Sequence, residues 1–104
     1  RFRMAVKIIW TNTAVQQRRK ILAYWNKRNK STIYSKKLVT EIAERVNFIV
    51  NNPEIYIKTD FPNIRASTLG HYNIFYKITS DALIVIAFWD NRRNPKTLSK
   101  ILNR

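Results

Sequence analysis

The spacing of the apolar residues predicts a strand and then a helix at the start of the chain. Residues 5–10 are rich in β-branched and aromatic side chains, which indicates a first strand. Thr11-Asn12-Thr13 then offers an N-cap. From that point the apolar residues recur at helical spacing, at Ala14, Ile21, Leu22 and Trp25.

A second amphipathic helix is predicted to follow Ser31-Thr32, which is expected to cap it. Glu41 and Arg45 lie one turn apart in the order that favours an ion pair. Asn51-Asn52-Pro53 ends the helical pattern. The predicted buried stripe of this helix is Tyr34, Leu38, Ile42, Val46 and Ile49. Because only a short polar link separates the two helices, they are expected to form an antiparallel hairpin.

The second half of the chain predicts strands. Residues 54–63 have little periodicity and are expected to be a connection. The three predicted strands are residues 64–69, 72–79 and 83–89, with turns at Gly70 and at Ser80-Asp81. In the middle one, alternation places Tyr72, Ile74, Tyr76 and Ile78 on one face and Asn73, Phe75 and Lys77 on the other.

The last strand and the tail complete the pattern. Residues 83–89 are apolar almost throughout, as expected of a central strand covered on both faces. The tail from Lys96 is polar and basic, but Leu98, Ile101 and Leu102 allow it to dock as a short helix.

The element order β-α-α-β-β-β predicts an α+β fold of two layers. The N-terminal strand must return beside the later strands, so that the helical hairpin packs on a twisted, mainly antiparallel sheet. A chain of 104 residues suits a single domain, taken as 1–104. Residues 1–3 precede Met4 and are expected to be a vector-derived extension or an alternative start.

The charge of the chain points to a negatively charged partner. Lys and Arg number 20 against 6 Asp and Glu, a formal net charge of +14. Such a field attracts nucleic acid, anionic membrane or an acidic protein, and it makes the isolated chain repel itself. A basic surface is expected on the first helix, formed by Arg18, Arg19, Lys20, Lys27, Arg28 and Lys30. Arg92 and Arg93 follow the last strand and add two planar forks that suit phosphate or carboxylate.

Several kinds of chemistry can be set aside from composition. One histidine and no cysteine cannot build a closed zinc site, and the acids are scattered, so we expect no metal and no cofactor. No glycine-rich phosphate loop is present. No apolar run approaches the ~20 residues of a membrane helix, and Lys7 interrupts the short apolar start, so we expect neither a membrane partner nor a signal peptide. The default compartment is then the reducing cytoplasm.

Metal-free RNA cleavage stays open. It needs a base, an acid and a cation for the developing phosphorane charge. The candidates are Lys58, Arg65, His71, Arg92 and Arg93, with Tyr76 nearby, if they converge on the open side of the sheet. For target or partner binding without chemistry, the candidates are Arg18, Arg19, Arg28, Trp89, Arg92 and Arg93. Trp89 is included because it borders the arginine loop and bases stack on indole, although a core role is the plainer interpretation of all three tryptophans.

The chain resembles the RelE/ParE superfamily of bacterial toxins from type II toxin–antitoxin modules. The resemblance rests on segments in the order and spacing of that family: Ile8-Ile9-Trp10-Thr11, Ala14, Ile21-Leu22-Ala23-Tyr24-Trp25, Asn52-Pro53, Ile64-Arg65, Leu69-Gly70-His71-Tyr72-Asn73-Ile74-Phe75-Tyr76 and Phe88-Trp89-Asp90-Asn91-Arg92-Arg93-Asn94-Pro95. It implies a growth-inhibiting toxin held inactive by an acidic antitoxin that wraps around it.

The resemblance leaves two mechanisms open. RelE-like members cleave mRNA in the ribosomal A site without metal, whereas ParE-like members poison DNA gyrase. Arg92 falls where the nucleases carry an arginine after the last strand, but their Tyr-Arg pair is Tyr72-Asn73 here. No tyrosine or histidine follows Arg93 before Thr97. This incomplete set favours the ParE-like mechanism, with mRNA cleavage as the alternative and a general nucleic-acid-binding module as a lesser one.

Overall fold

The computed structural model describes residues 7–103, and these form a five-stranded sheet with helices on both faces. The elements are β1 (Lys7–Trp10), α1 (Asn12–Asn29), α2 (Ile33–Asn51), β2 (Ile57–Lys58), β3 (Arg65–Leu69), β4 (Tyr72–Ile78), β5 (Ala82–Asp90) and α3 (Pro95–Leu102). The strand order is β1-β5-β4-β3-β2, and β1 runs parallel to β5 while the other pairs are antiparallel. The predicted α+β architecture is confirmed. The part of the first predicted strand before Lys7, and the start at Met4, lie outside the described residues.

The helical hairpin and α3 bury different faces of the sheet. The larger core joins α2 residues Leu38, Ile42, Val46 and Ile49 to one face of β4 and β5, where Tyr72, Ile74, Tyr76, Leu83, Val85 and Phe88 lie. On the other face Leu102 and Leu98 of α3 pack with Phe75 and Trp89. The tail therefore docks as predicted, and it gives the central strands cover on both sides.

The alternation of β5 is broken by one extra residue. Phe75 pairs with Ala87 and Tyr76 with Val85, so Ile86 has no partner on β4. Beyond this β-bulge, the side chains of β5 exchange faces, so that Val85 and Phe88 both face the helices although they are three residues apart. The bulge is tied to α1, because the Thr11 hydroxyl donates to Ile86 O at 3.0 Å. The same hydroxyl accepts from Ala14 N at 3.1 Å, which confirms the predicted N-cap.

Beyond the end of β1, the open edge of β5 is closed by a side chain of α1. Gln17 Oε1 accepts the backbone N–H of Phe88 at 2.8 Å. The glutamine thus satisfies a backbone donor that a further strand would otherwise bind. It also fixes the distance between α1 and the end of β5, where the arginine loop begins.

Three details of the prediction were wrong. Tyr34 is not buried in the stripe of α2, since its side chain is 37% exposed and lies edge-on to Trp25. Arg45 does not pair with Glu41. Its side chain reaches β3 instead, where it donates to Ser67 Oγ at 2.9 Å and to Thr68 O.

The third correction concerns the backbone. The expected connection 54–63 contains β2, a short exposed strand held by pairing with β3 rather than by apolar burial. At the start of α2, the predicted Ser31-Thr32 cap is made by Ser31, whose Oγ accepts from Ile33 N at 3.2 Å, while Thr32 makes no side-chain cap.

Candidate functional site

The loop after β5 holds Arg92 in a closed fork with Asp90. Arg92 Nε donates to Asp90 Oδ1 and Nη2 to Oδ2, both at 2.9 Å, and the Arg92 backbone N–H also reaches Oδ1 at 2.9 Å. This bidentate pairing lowers the pKa of the Asp90 carboxyl, chiefly through the side-chain hydrogen bonds from Arg92. The pair is a neutral unit at the surface, with the Arg92 side chain 53% exposed.

Arg93 is positioned differently. Its guanidinium lies over the ring of Trp89, 5.1 Å from the centroid, and its backbone N–H donates to Asp90 O at 3.0 Å. No carboxylate contacts Arg93 within residues 7–103. Trp89 is only 3% exposed, so its ring supports Arg93 and is not open to a stacking base. The two neighbouring arginines thus differ, since one is neutralised and one keeps its charge free.

Helix α1 supplies the opposite wall of a groove. The groove encloses about 740 Å³ and is lined by α1, by the end of β5 with its loop, and by α3. We call it the arginine groove, and its basic and aromatic lining includes Lys20, Tyr24, Trp25, Tyr72, Arg92 and Arg93. Lys20 and Tyr24 face it together because they lie one helical turn apart.

The base of the groove is fixed by a hydrogen bond between two aromatic residues. Trp25 Nε1 donates to the Tyr72 hydroxyl at 2.7 Å. Burial raises the pKa of Tyr72, with the Trp25 bond acting against it. The ring of Tyr72 stacks on Phe88 at a centroid distance of 5.1 Å. The tyrosine is therefore a rigid wall of the groove and stays neutral at physiological pH.

The structure does not bring the candidate nuclease residues together. Lys58 and Arg65 line a second cavity of about 550 Å³ with Tyr76, which we call the far cavity. Along β4, Tyr76 pairs with Arg65 whereas Tyr72 pairs with Asp90, so the two groups stand about 13 Å apart at ~3.3 Å per residue. The expected convergence of Lys58, Arg65, His71, Tyr76, Arg92 and Arg93 was wrong. The cause is that β3 and β5 carry their cations at opposite ends of the sheet.

Arg65 holds the chain rather than facing outward. Its Nη1 donates to Tyr56 O at 2.7 Å and to Glu54 O at 3.2 Å. These bonds fix the loop before β2 against β3. His71 lies exposed in the turn between β3 and β4, where its carbonyl accepts from Asn91 N at 2.8 Å, and it does not line the arginine groove.

The cations of α1 are divided between surfaces. The guanidinium of Arg18 lies 4.2 Å from the Trp10 ring centroid, in a third groove between β1 and the helices. Arg28 lies 5.9 Å from the Trp25 centroid, and Arg19 is exposed. The helix thus presents positive charge on more than one side, and Lys20 is the basic residue it contributes to the arginine groove.

Asn73 occupies the place where the resembling nucleases carry an arginine, and its amide is already engaged. Asn73 Oδ1 accepts from the Thr68 hydroxyl at 2.7 Å, and its Nδ2 donates to Asn91 Oδ1 at 2.9 Å. This ladder crosses three adjacent segments on the α3 face of the sheet. It is a structural link with no charge to offer a phosphate.

Neither a metal site nor a membrane span is found in the described part of the chain. No group of three or more His, Asp or Glu side chains in residues 7–103 could hold a metal ion. No described helix is long and apolar enough to cross a bilayer.

A comparison with protein families decides the class. The family model of the ParE toxin of the type II toxin–antitoxin system parDE matches residues 8–95. The chain belongs to the ParE toxin family. It is therefore the toxin component of a type II toxin–antitoxin system.

Solved structures agree with the fold of this ParE toxin. A chain described as a chromosomal ParDE TA system from P. aeruginosa superimposes with a TM-score of 0.68 at 17% sequence identity. The match covers 80% of this chain and 92% of that one. No curated protein matches the sequence.

Sequence reasoning missed part of the groove of this ParE toxin. Lys20 was included only in a general basic surface, and neither Tyr24 nor the Asp90–Arg92 pair was assigned a role. The spacing of Lys20 and Tyr24 places them on one helix face, and Asp90 two residues before Arg92 suggests a local fork. The contact of α1 with the end of β5 depends on Gln17 and on the bulge, for which no sequence signal was available.

Proposed function

We propose that this ParE toxin inhibits growth by binding DNA gyrase, without cleaving RNA, and that an acidic antitoxin neutralises it. Under this proposal the predicted binding residues contact the target or the antitoxin, whereas the predicted catalytic residues would act only in the alternative mechanism of mRNA cleavage. Because gyrase works on chromosomal DNA, the proposal places the protein in the cytoplasm.

The separation of the cations is the observation that supports binding over cleavage. Arg65 is held by two backbone carbonyls in the far cavity, about 13 Å along β4 from the level of Asp90 and Arg92. A transition state of phosphoryl transfer needs its base, acid and cation within hydrogen-bonding reach of the reacting atoms. A protein-binding site needs no such convergence.

The protonation chemistry of the arginine groove agrees with this. A general acid or base works best when its pKa lies near the ambient pH. Asp90 has its pKa lowered and Tyr72 has its pKa raised, so both shifts lead away from neutrality. The groove offers a basic and aromatic surface, which is suited to recognition.

The unbalanced charge supports an acidic antitoxin. At a formal net charge of +14 the chain gains from any acidic segment that covers its cations. Within residues 7–103 the edge strands β1 and β2 pair with no further strand on their outer sides, which allows strand addition, and Ile57 of β2 is 75% exposed. A disordered acidic peptide could fold onto such edges and hide both charge and apolar surface.

The test for the target is a supercoiling assay. Purified toxin at stoichiometric excess should stop gyrase from supercoiling a relaxed plasmid, and the Arg92→Ala/Arg93→Ala double variant should have a weaker effect. Lys37→Ala, an exposed lysine on α2 outside the arginine groove, serves as the matched control. Unchanged supercoiling by the folded wild-type toxin would remove gyrase as the target.

Growth and mRNA assays separate the alternatives. Induction in a bacterial host should arrest growth, and co-expression of an acidic protein encoded by the adjacent gene should restore it. Primer extension on translated mRNA should show no codon-positioned cuts. Cuts that vanish in Arg92→Ala would instead establish the RelE-like alternative, and nucleic-acid binding without growth arrest would indicate a general binding module.

A further inference from the structure

The arginine groove contains three basic residues, and their environments are not equivalent. The Nε and Nη2 donors of Arg92 are bonded to the two oxygens of Asp90, which neutralises its charge. Lys20 and Arg93 line the same groove and contact no carboxylate in residues 7–103. The net charge available to a ligand is therefore about two, supplied from α1 on one side and from the loop after β5 on the other.

We infer that Arg93 and Lys20 bind a carboxylate side chain of an acidic peptide segment in the arginine groove, and that Asp90 keeps Arg92 from doing so by neutralising its charge. This inference rests on the proposed function, in which the toxin acts through protein partners. It assigns anion recognition to Arg93 and Lys20 and none to Arg92, whose charge Asp90 neutralises.

The position of Arg93 is compatible with this role. Its backbone is tied to Asp90 O and its guanidinium lies over Trp89, so little freedom is lost when a carboxylate binds. A carboxylate bound there would replace no existing ion pair. The charge of Arg92 is already neutralised by Asp90, and a ligand at its Nε and Nη2 donors would have to displace two hydrogen bonds of 2.9 Å.

The walls of the groove favour a peptide over a nucleic acid. Ile21, Ile101 and Phe88 line it beside the aromatic residues, which suits apolar side chains next to the carboxylate. Trp89 is buried under Arg93, so its ring offers no open face on which a base could stack. Arg18 lies in a different groove, so the helix offers no continuous row of cations here.

The experiment measures binding of a short synthetic peptide of glutamate and leucine to the full chain, made by cell-free expression, using titration calorimetry. Arg93→Gln and Lys20→Gln should each weaken binding about tenfold, the loss expected for one charge-assisted hydrogen bond. The Asp90→Asn/Arg92→Gln double variant removes a neutral pair and should keep most of the affinity. Asp90→Asn alone should strengthen binding, because it releases Arg92.

Three outcomes would overturn the inference. They are equal binding of a matched glutamine and leucine peptide, a loss in the double variant as large as in Arg93→Gln, or tighter binding of a single-stranded oligonucleotide with the same dependence on Arg93. Lys37→Gln controls for the loss of one distant charge, and circular dichroism of each variant confirms folding. Since no gyrase is present, a negative result here leaves the supercoiling test intact, and a negative supercoiling result leaves peptide binding intact.

Discussion

The two ends of the sheet carry similar basic residues that do different things. In the far cavity, the guanidinium of Arg65 donates hydrogen bonds to the carbonyls of Glu54 and Tyr56. In the arginine groove, the contacts of Arg93 within residues 7–103 are an aromatic face and, through its backbone N–H, a carbonyl, and Lys20 lines the same groove from α1. Residue type alone therefore does not separate a structural cation from one available for binding. The acceptors within reach make that distinction.

The comparison predicts that the two ends respond to mutation in opposite ways. Substitution of Arg65 in the far cavity should reduce the free energy of unfolding and leave partner binding by the folded protein unchanged. Substitutions of Arg93 or Lys20 should weaken binding and change stability by at most about 1 kcal/mol, the contribution expected of an exposed cation–π contact such as that of Arg93 with Trp89.

The largest effect on stability is expected for Arg65→Met, which keeps the length of the side chain and removes its charge. Two backbone carbonyls lose their donor, and the loop before β2 is released from β3, which should cost about 2 kcal/mol. Chemical denaturation monitored by tryptophan fluorescence measures the change.

The control for that variant is Lys58→Met in the same cavity. The ammonium of Lys58 has no hydrogen-bond partner in the described chain from Lys7 to Asn103, so its loss should change the free energy of unfolding by less than about 0.5 kcal/mol. If both variants were equally destabilised, Arg65 would not act as a structural cation through its two bonds.

A smaller effect is expected at the base of the arginine groove. Tyr72→Phe leaves the Trp25 indole N–H without its acceptor, which should cost about 1 kcal/mol. Tyr76→Phe is the matched change in the far cavity, where the hydroxyl donates to Pro53 O at 2.9 Å. Both should lower stability by a similar amount, but only Tyr72→Phe should alter the fluorescence of Trp25 and the affinity for an acidic peptide. Equal effects of the two variants on peptide affinity would contradict the division between the two ends.

Most of the fold could be predicted because its apolar periodicity is strong. The stripe of α2 and the continuous apolar run of β5 each have one simple interpretation, and the return of β1 beside the later strands follows from the need to cover the hairpin. The strand β2 could not be predicted, because its residues are exposed and only the pairing of Ile57 and Lys58 with β3 holds them extended. The bulge at Ile86 was hidden since almost every residue around it is apolar.

Less of the site could be predicted, because it depends on contacts between distant segments. The arginine loop was visible in the sequence, whereas the wall that faces it comes from α1, some 70 residues earlier, through bonds such as Gln17 to Phe88. The spread of the nuclease candidates followed from strand register, which fixes Arg65 opposite Tyr76 and Asp90 opposite Tyr72. Register of that kind is set by turns and bulges that composition does not reveal.

The smallest predicted effect concerns acid stability at the arginine groove. The pKa of Asp90 is lower in the folded chain than its usual value of about 3.9, so the Asp90–Arg92 pair contributes its stability above that pH. The contribution is lost as the pH falls below about 4 and through the folded value. Asp90→Asn should therefore be less stable than wild type at neutral pH and equally stable in strong acid. The difference at neutral pH should be smaller than that of Arg65→Met, because the Arg92 side chain is 53% exposed. Denaturant titrations across the acid range, with Asp60→Asn to correct for one lost negative charge, measure the difference. A gap between wild type and Asp90→Asn that stays constant down to the lowest pH would show that the fork does not depend on the charge of Asp90, and Arg92 would then remain as available to a ligand as Arg93.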